Sequence, residues 1–394
     1  MDRIRLGIIG LGCRGYSLLP LICGFDGCEI AAVADIYEDR AENAVKCVFD
    51  ITGKKPLGFT DHRYMLEKGV IDAAVIISPW QTHVPMCIEF MEAGIPVATE
   101  VGGASTLDEC FDLVRTYEKT KTPFMFLENC CYGRLEMMVL NMVRQGLFGK
   151  IVHCEGGYRH DLRSEVAFGR ENRHYRLEHY LNRNCENYPT HELGPIARVL
   201  DIGGENRMLE LCSFATGSYG MNDYARVNKS VDPGLQSAPF AQGDVVTTVI
   251  KCLRGQTVVL TLDTTLPRPY SRGFTVQGTR GMYCEDGNYI YLDTDFTEQD
   301  HFDWSKNWNN ANKYLEKYEH PVWEKFLKDG VRGGHGGMDG LVYGEFINCL
   351  LEGRKMPIDA YDAAAWMCIT PLSEISLREK HSVAVPDFAA VSKK

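Results

Sequence analysis

The stretch "IRLGIIGLGCRG" at residues 4–15 decides how the first third of this chain folds. Residues 4–9 are a short apolar run with β-branched side chains, the composition of a buried strand. The run leads into Gly10-Leu11-Gly12-Cys13-Arg14-Gly15, and "YSLLPLICGF" at 16–25 continues as a helix. In a strand–turn–helix of this kind Gly10 permits the tight turn. Gly12 lets a pyrophosphate approach the backbone, and Gly15 lets the helix pack close to the strand. The anion then rests on the helix N-terminus, beside Cys13 and Arg14. A lone G-x-G-x-x-G is weak evidence. The support is Asp35, which closes a second strand, "EIAAVAD", twenty residues after Gly15. A carboxylate there can hold both ribose hydroxyls and repels a 2′-phosphate, so the expected cofactor is NAD rather than NADP.

The alternation continues through "DAAVIISP" (72–79), "HVPMCIEFMEAG" (83–94), "PVATE" (96–100), a helix within 105–119 and "PFMFLE" (123–128). This rhythm predicts an α/β domain, a doubly wound parallel sheet over residues 1–128. Such sheets place ligands at the carboxyl ends of their strands. Trp80 and His83 fall there and are candidates for the nicotinamide end, with packing over a loop as the plain alternative, and Glu100 is a further candidate for the cofactor. From residue 151 the pattern changes to "IVHCEGGY", "MLELCSFAT", "DVVTTVIKCL", "TVVLTLDTT", "GFTVQGT" and "GMYCED". These short β-rich runs predict an α+β domain over 129–394 with a large, mostly antiparallel sheet and helices near 190–200, 338–351 and 359–377. The polar, aromatic segments 161–188 and 294–335 are long for inert connections, and their composition suits a sugar site.

The formal net charge of −11 gives no general attraction to nucleic acid or to anionic lipid. No run of about 18 apolar residues and no export-signal pattern occurs, so the expectation is a cytoplasmic protein without a membrane partner. Fifteen cysteines are scattered without a C-x-x-C pair, which suits reduced thiols. The histidine motifs lack metal-ligand spacing, and no metal is expected.

Together the motifs resemble the glucose-fructose oxidoreductase/inositol dehydrogenase/MocA superfamily, in which a Rossmann domain precedes an open-faced sheet domain. "SPWQTHVPM" (78–86), "LENCCYGRLEMMVLNMVRQGLFG" (127–149), "EGGYRHDLR" (155–163), "NYPTHELGP" (187–195), "GGHGGMD" (333–339) and "DAAAWMCITPLSE" (362–374) resemble glycoside hydrolase family 109 in order. That family includes α-N-acetylgalactosaminidases that use NAD catalytically. The superfamily's sugar dehydrogenases usually carry Glu-Lys-Pro after the fifth strand, whereas this chain reads Glu100-Val101-Gly102. They also often place aspartate four residues before the active-site histidine, where this chain has Asn187. Both departures fit the glycosidase branch.

The resemblance implies a small-molecule glycoside or sugar as partner, and a homo-oligomer formed through the open sheet face. It also implies hydrolysis by transient oxidation at C3, elimination, water addition and re-reduction. His191 suits general acid/base work, since an unperturbed imidazole titrates near pH ~6.5. Tyr270 matches a family active-site tyrosine by its place in the chain, while Tyr132 and Tyr158 can serve either the site or the packing. In "GGHGGMD" Asp339 is expected to cap the following helix and to present His335 at its N-terminus. The second reading is an NAD-dependent sugar or inositol dehydrogenase, including a glycoside 3-dehydrogenase. The third is a non-catalytic sensor on the same fold.

Overall fold

The computed structural model describes residues 3–295 and 304–393, without the side chains of 304, 305 and 391–393. Part of the second aromatic segment, 296–303, lies outside the described residues. The chain forms two compact units. The first contains the residues up to 129, then 331–365 and the segment from 388, and the second contains 130–330 and 366–387. Residues 331–365, which a single boundary near 128 would assign to the second domain, thus pack in the first unit.

The first unit holds β1 (Ile4–Ile9), β2 (Cys28–Ala34), β3 (Leu57–Phe59), β4 (Ala73–Ile76), β5 (Val97–Thr99) and β6 (Phe124–Phe126). All pair in parallel in the order β3-β2-β1-β4-β5-β6. That is the doubly wound arrangement, with its reversal of direction between β1 and β4. Every residue of β4, β5 and β6 is buried, as expected when helices cover both faces. The sequence reading missed β3, whose three residues are exposed or half-buried and show no buried apolar run. Segment 331–365 contributes the helix Met338–Glu352 and the carbonyl of Ile358, which accepts the Phe126 N–H at 3.0 Å and lengthens the β6 edge.

The glycines of the first turn do what their spacing requires. Gly10 sits at φ +90°, and a Cβ there would lie 2.5 Å from the Ser78 nitrogen after β4. A Cβ on Gly15 would lie 1.9 Å from the Gly10 carbonyl oxygen. Both positions therefore exclude a side chain by contact with backbone. Gly12 differs, because a Cβ there meets only Arg40 Nη1, at 3.6 Å.

The second unit is built on β7 (Ile151–Arg159), β8 (Met208–Ala215), β9 (Val245–Cys252), β10 (Thr257–Asp263), β11 (Thr275–Gly278), β12 (Gly281–Cys284), β13 (Tyr289–Leu292) and β14 (Val383–Ala384). Their order is β13-β12-β11-β7-β10-β9-β8-β14. Only β7 and β10 pair in parallel. The helix Thr190–Leu200 packs against β7, and Ile369–Glu379 packs against β8. On the face away from these helices, Phe214 and Val249 are 69% and 40% exposed. The segment predicted as one helix over 359–377 is two, Ala360–Met367 and Ile369–Glu379. Pro371 has no N–H to offer the Met367 carbonyl, and its ring crowds that carbonyl, so the first helix ends there. The aromatic segments form short helices, Arg163–Ala167, Arg176–Asn182, Asn312–Tyr318 and Pro321–Asp329, rather than long loops.

Gly15→Ala forces the turn apart and is expected to cost about 1–3 kcal/mol, the usual scale of overpacking. Gly12→Ala stays within about 0.5 kcal/mol of the parent. Thermal denaturation of the two variants separates them, and equal Tm losses would contradict this assignment of the glycines.

Candidate active site

In the first unit the glycine turn is fastened by a charged cluster. Arg14, in the first turn of the helix Cys13–Cys23, donates from Nη2 to Glu100 Oε1 at 2.8 Å. It also makes a two-pronged contact with Asp339, Nη1 to Oδ2 at 2.8 Å and Nη2 to Oδ1 at 2.9 Å. Tyr343 donates to the same Glu100 oxygen at 2.8 Å, and Asn129 Nδ2 donates to Asp339 Oδ1 at 2.8 Å. His335 Nδ1 lies 2.9 Å from Asp339 Oδ2. Burial alone would push the Asp339 carboxyl up, but the hydrogen bonds from Arg14 and His335 outweigh it and hold the group far below the usual carboxylate range.

This geometry corrects the reading of Asp339 as a helix cap. The N-cap is Gly337, at φ +103°, and no side chain caps the helix. Asp339 instead turns inward to Arg14. The glycines of "GGHGG" let the chain fold over that carboxylate, for a Cβ on Gly334 would lie 2.8 Å from Asp339 Oδ2. His335 itself has φ +51° and a half-exposed side chain.

Asp35 ends the strand region of β2 and is buried. Its Oδ2 accepts the Leu11 N–H of the glycine turn at 2.7 Å, and Oδ1 accepts the Tyr37 N–H at 3.0 Å. The carboxylate is thereby locked to the turn. The helix Cys13–Cys23 has no side-chain cap. Cys13 is exposed at its start. Its first N–H groups and the open space at Gly12 suit an anion. Trp80 opens the helix Trp80–Glu92, and its indole fills the place a Cβ would take on Gly102, 2.3 Å from Cδ1. His83 donates from Nε2 to the Ser78 carbonyl at 2.7 Å. Burial, partly offset by that bond and by Glu100, lowers its pKa to about 4, so the ring is neutral at physiological pH.

In the second unit, Tyr158, His191 and Tyr270 come together. Tyr158 is on β7, and the register of the isolated bridge Arg159–Ser271 brings the loop carrying Tyr270 alongside it. The ring centroids of Tyr158 lie 5.6 Å from His191 and 6.4 Å from Tyr270. Arg268 pairs with Asp263 at 2.6 Å and Arg272 pairs with Glu136, which fixes both ends of that loop. Tyr270 itself is 49% exposed. The bulk around their hydroxyls raises both phenols above the ordinary tyrosine value. At Tyr158 the neighbouring Arg176 opposes this rise. Both are therefore proton donors in the resting protein. Tyr132 is buried, and its carbonyl accepts the Trp323 Nε1–H at 2.8 Å.

The cluster contains residues that the sequence reading did not single out. Tyr188 lies 4.4 Å from Tyr158 and 4.8 Å edge-on from His191. His160 Nδ1 is 3.2 Å from the Tyr158 hydroxyl and its ring is 5.1 Å from Tyr270. Arg176 stands over the Tyr188 ring at 5.3 Å. Two signals were available: His160 lies two residues beyond Tyr158, just past the end of β7, and Tyr188 is three before His191 at a helix start. Arg176 had no such signal.

A family model for the glycosyl hydrolase 109 C-terminal domain matches residues 132–393, and one described as oxidoreductase family, NAD-binding Rossmann fold, matches 4–127. An alpha-N-acetylgalactosaminidase of Tannerella forsythia is 38% identical over 98% of this chain and 86% of its own. The crystal structure of myo-inositol 2-dehydrogenase from Lactobacillus plantarum superposes with a TM-score of 0.70 at 15% identity, covering 98% of this chain and 100% of that one. That of scyllo-inositol dehydrogenase from Lactobacillus casei, with bound NAD(H) and scyllo-inositol, gives 0.67 at 14%, covering 97% and 99%. The two dehydrogenases share the fold.

Arg14→Met leaves two buried carboxylates without their cation. The expected cost is about 2–3 kcal/mol, somewhat below the usual 3–5 for a buried pair because the guanidinium is partly solvated. Urea denaturation measures it, and an unchanged midpoint would refute the fastening role.

Proposed function

Because the chain belongs to glycosyl hydrolase family 109, we propose that it hydrolyses a small α-N-acetylgalactosaminide-type glycoside with NAD taking part in catalysis. The observation that carries this reading is that the stretch matched by the family 109 model contains the Tyr158–Tyr188–His191–Tyr270 cluster. The glycine turn fits the dinucleotide in three respects: open space at Gly12, an uncapped helix N-terminus beside Cys13, Arg14 and Gly15, and the Asp35 carboxylate after β2. Gly10, Trp80, His83 and Glu100 complete the proposed cofactor residues. NAD, when bound, supplies a reversible hydride acceptor for C3 of the sugar.

With C3 a ketone, the proton on C2 becomes acidic. His191 takes that proton, and the anomeric oxygen departs by elimination. Tyr158 and Tyr270, held in their protonated forms, donate hydrogen bonds to the carbonyl and to the departing oxygen. Water adds at C1, His191 returns a proton to C2, and restoration of the C3 hydroxyl leaves net hydrolysis. Tyr132 and His335 are supporting members of the proposed site. Residues 1–128, with 331–365 packed into the same unit, serve as the NAD-binding domain, and the rest of 129–394 serves substrate binding and assembly. A homo-oligomer through the open face of the eight-stranded sheet is supported by the exposed Phe214 and Val249. A cytoplasmic site of action is supported by cysteines that are all free thiols. No helix among the described residues is long and apolar enough to cross a membrane.

Asp35→Ala removes the acceptor for the ribose hydroxyls and the repulsion of a 2′-phosphate. Titration should show weaker NAD binding and less discrimination against NADP, and unchanged affinity for both would reject the assignment.

A substrate deuterated at C2 should exchange its label with water during turnover, without net NADH. His191→Ala and Tyr270→Phe should each lower turnover by about 10²–10⁴-fold while sparing NAD binding. Stoichiometric NADH with an intact glycosidic bond would make the protein a dehydrogenase, and full retention of the label would rule out elimination.

A further inference from the structure

The segment before His191 buries a carboxyl group that the proposed chemistry does not use. Glu186 is 1% exposed. Its backbone is clamped from both sides. Its N–H donates to Ser373 Oγ at 2.9 Å, and its carbonyl accepts the Thr370 hydroxyl at 2.8 Å, both from the helix Ile369–Glu379. The neighbours on either side are held by Gln242, which donates to the Cys185 carbonyl at 3.0 Å and accepts from Asn187 Nδ2 at 3.2 Å. The carboxyl lies against the backbone N–H groups of Tyr188 and of Leu262 on β10, but neither carboxyl oxygen closes a hydrogen bond of normal geometry. Leu262 is in register with Tyr158 on β7. The group thus sits between the strand that aligns with Tyr158 and the segment that carries Tyr188 and His191.

The charged groups on the elements packed around it are engaged elsewhere. Arg183 pairs with Glu374, and Asp263 pairs with Arg268. Cys185 is the titratable neighbour that feels Glu186, and burial holds its thiol well above the ordinary value. Among the described residues no cation offsets a charge on Glu186. An ionised carboxylate in that position would pay its full desolvation cost, which is far larger than that of a neutral acid.

We propose that Glu186 is a positioning residue of the candidate active site: its protonated carboxyl group wedges between Tyr188 and β10, holding the Tyr188–His191 segment in place, and its ionisation loosens that segment. The role rests on the glycosidase reading for its effect on turnover, but not for its effect on stability. Burial raises the Glu186 pKa from the ordinary 4.5 to about 8. Below pH 4.5 the group is protonated both folded and unfolded. Between 4.5 and 8 the unfolded chain gives up the proton and the folded chain keeps it, so stability falls as pH rises, and above about 8 it levels off.

Glu186→Gln replaces the acid by a neutral isostere that cannot ionise. Its Tm should exceed that of the parent by a margin that widens from pH 4.5 to 8 and is constant above. The parent's turnover should fall about tenfold per pH unit above pH 8, and this alkaline limb should be absent from Glu186→Gln. Glu186→Asp keeps an ionisable group on a shorter arm and should retain the limb at lower activity. A Gln variant that fails to fold, is less stable than the parent throughout, or keeps the alkaline limb overturns the proposal. Should glycosidase activity be missing from the parent, the Tm series decides the matter by itself.

Discussion

The first unit depends on one arginine placed between two buried carboxylates. Arg14 reaches Glu100 after β5 and Asp339 in the first turn of the helix Met338–Glu352, and both acids are almost wholly out of solvent. Burying either carboxylate without a cation would carry a large desolvation cost. A lysine would present a single ammonium, whereas the planar guanidinium meets Asp339 with two parallel hydrogen bonds and still has a donor for Glu100. Because Arg14 stands in the first turn of the helix that follows the glycines, the same ion pairs set the direction of the N–H groups at that helix start. A structural charge cluster and a candidate anion site therefore share one residue.

The second unit gathers aromatic rings against one another, with ion pairs at both ends of the loop that carries Tyr270. Tyr158, Tyr188, His191 and Tyr270 meet edge to face or tilted, arrangements worth about 0.5–1.5 kcal/mol per pair beyond area burial. Such contacts fix ring orientation without consuming hydroxyl groups. Burial also lowers the His160 pKa, so that ring is neutral alongside the protonated phenols. Neutral donors and acceptors thus stand side by side in this cluster.

Residues whose role follows from backbone geometry were legible in the sequence. Gly10 and Gly15 announce a turn in which no side chain fits, and Asp35 announces the end of β2 at a fixed distance from them. The longer strands were equally visible through their apolar runs. Strands β3, β13 and β14 went unread: β3 has no buried residue to mark it, whereas the equally short β5 and β6 are wholly buried and stand out as apolar runs. Contacts between residues distant in sequence were not legible. Asn129 and Tyr343 join the Arg14 cluster across 210 and 243 residues, a pairing that only the folded chain creates. Asp339 shows the limit most clearly: beside a helix start it resembles a cap, and a long-range partner redirects it.

The excursion of the chain between 130 and 330 has a consequence for biosynthesis. Arg14 and Glu100 leave the ribosome long before Asp339; at 5–20 residues per second the delay is roughly 10–50 s. During that interval the nascent Rossmann sheet has its strands and its glycine turn, but Arg14 has only one of its two carboxylates. The eight-stranded sheet is synthesised in the meantime, apart from its last edge strand. The turn is thus fastened by a segment that emerges only after the whole excursion, so its final geometry is set once residue 339 has been translated.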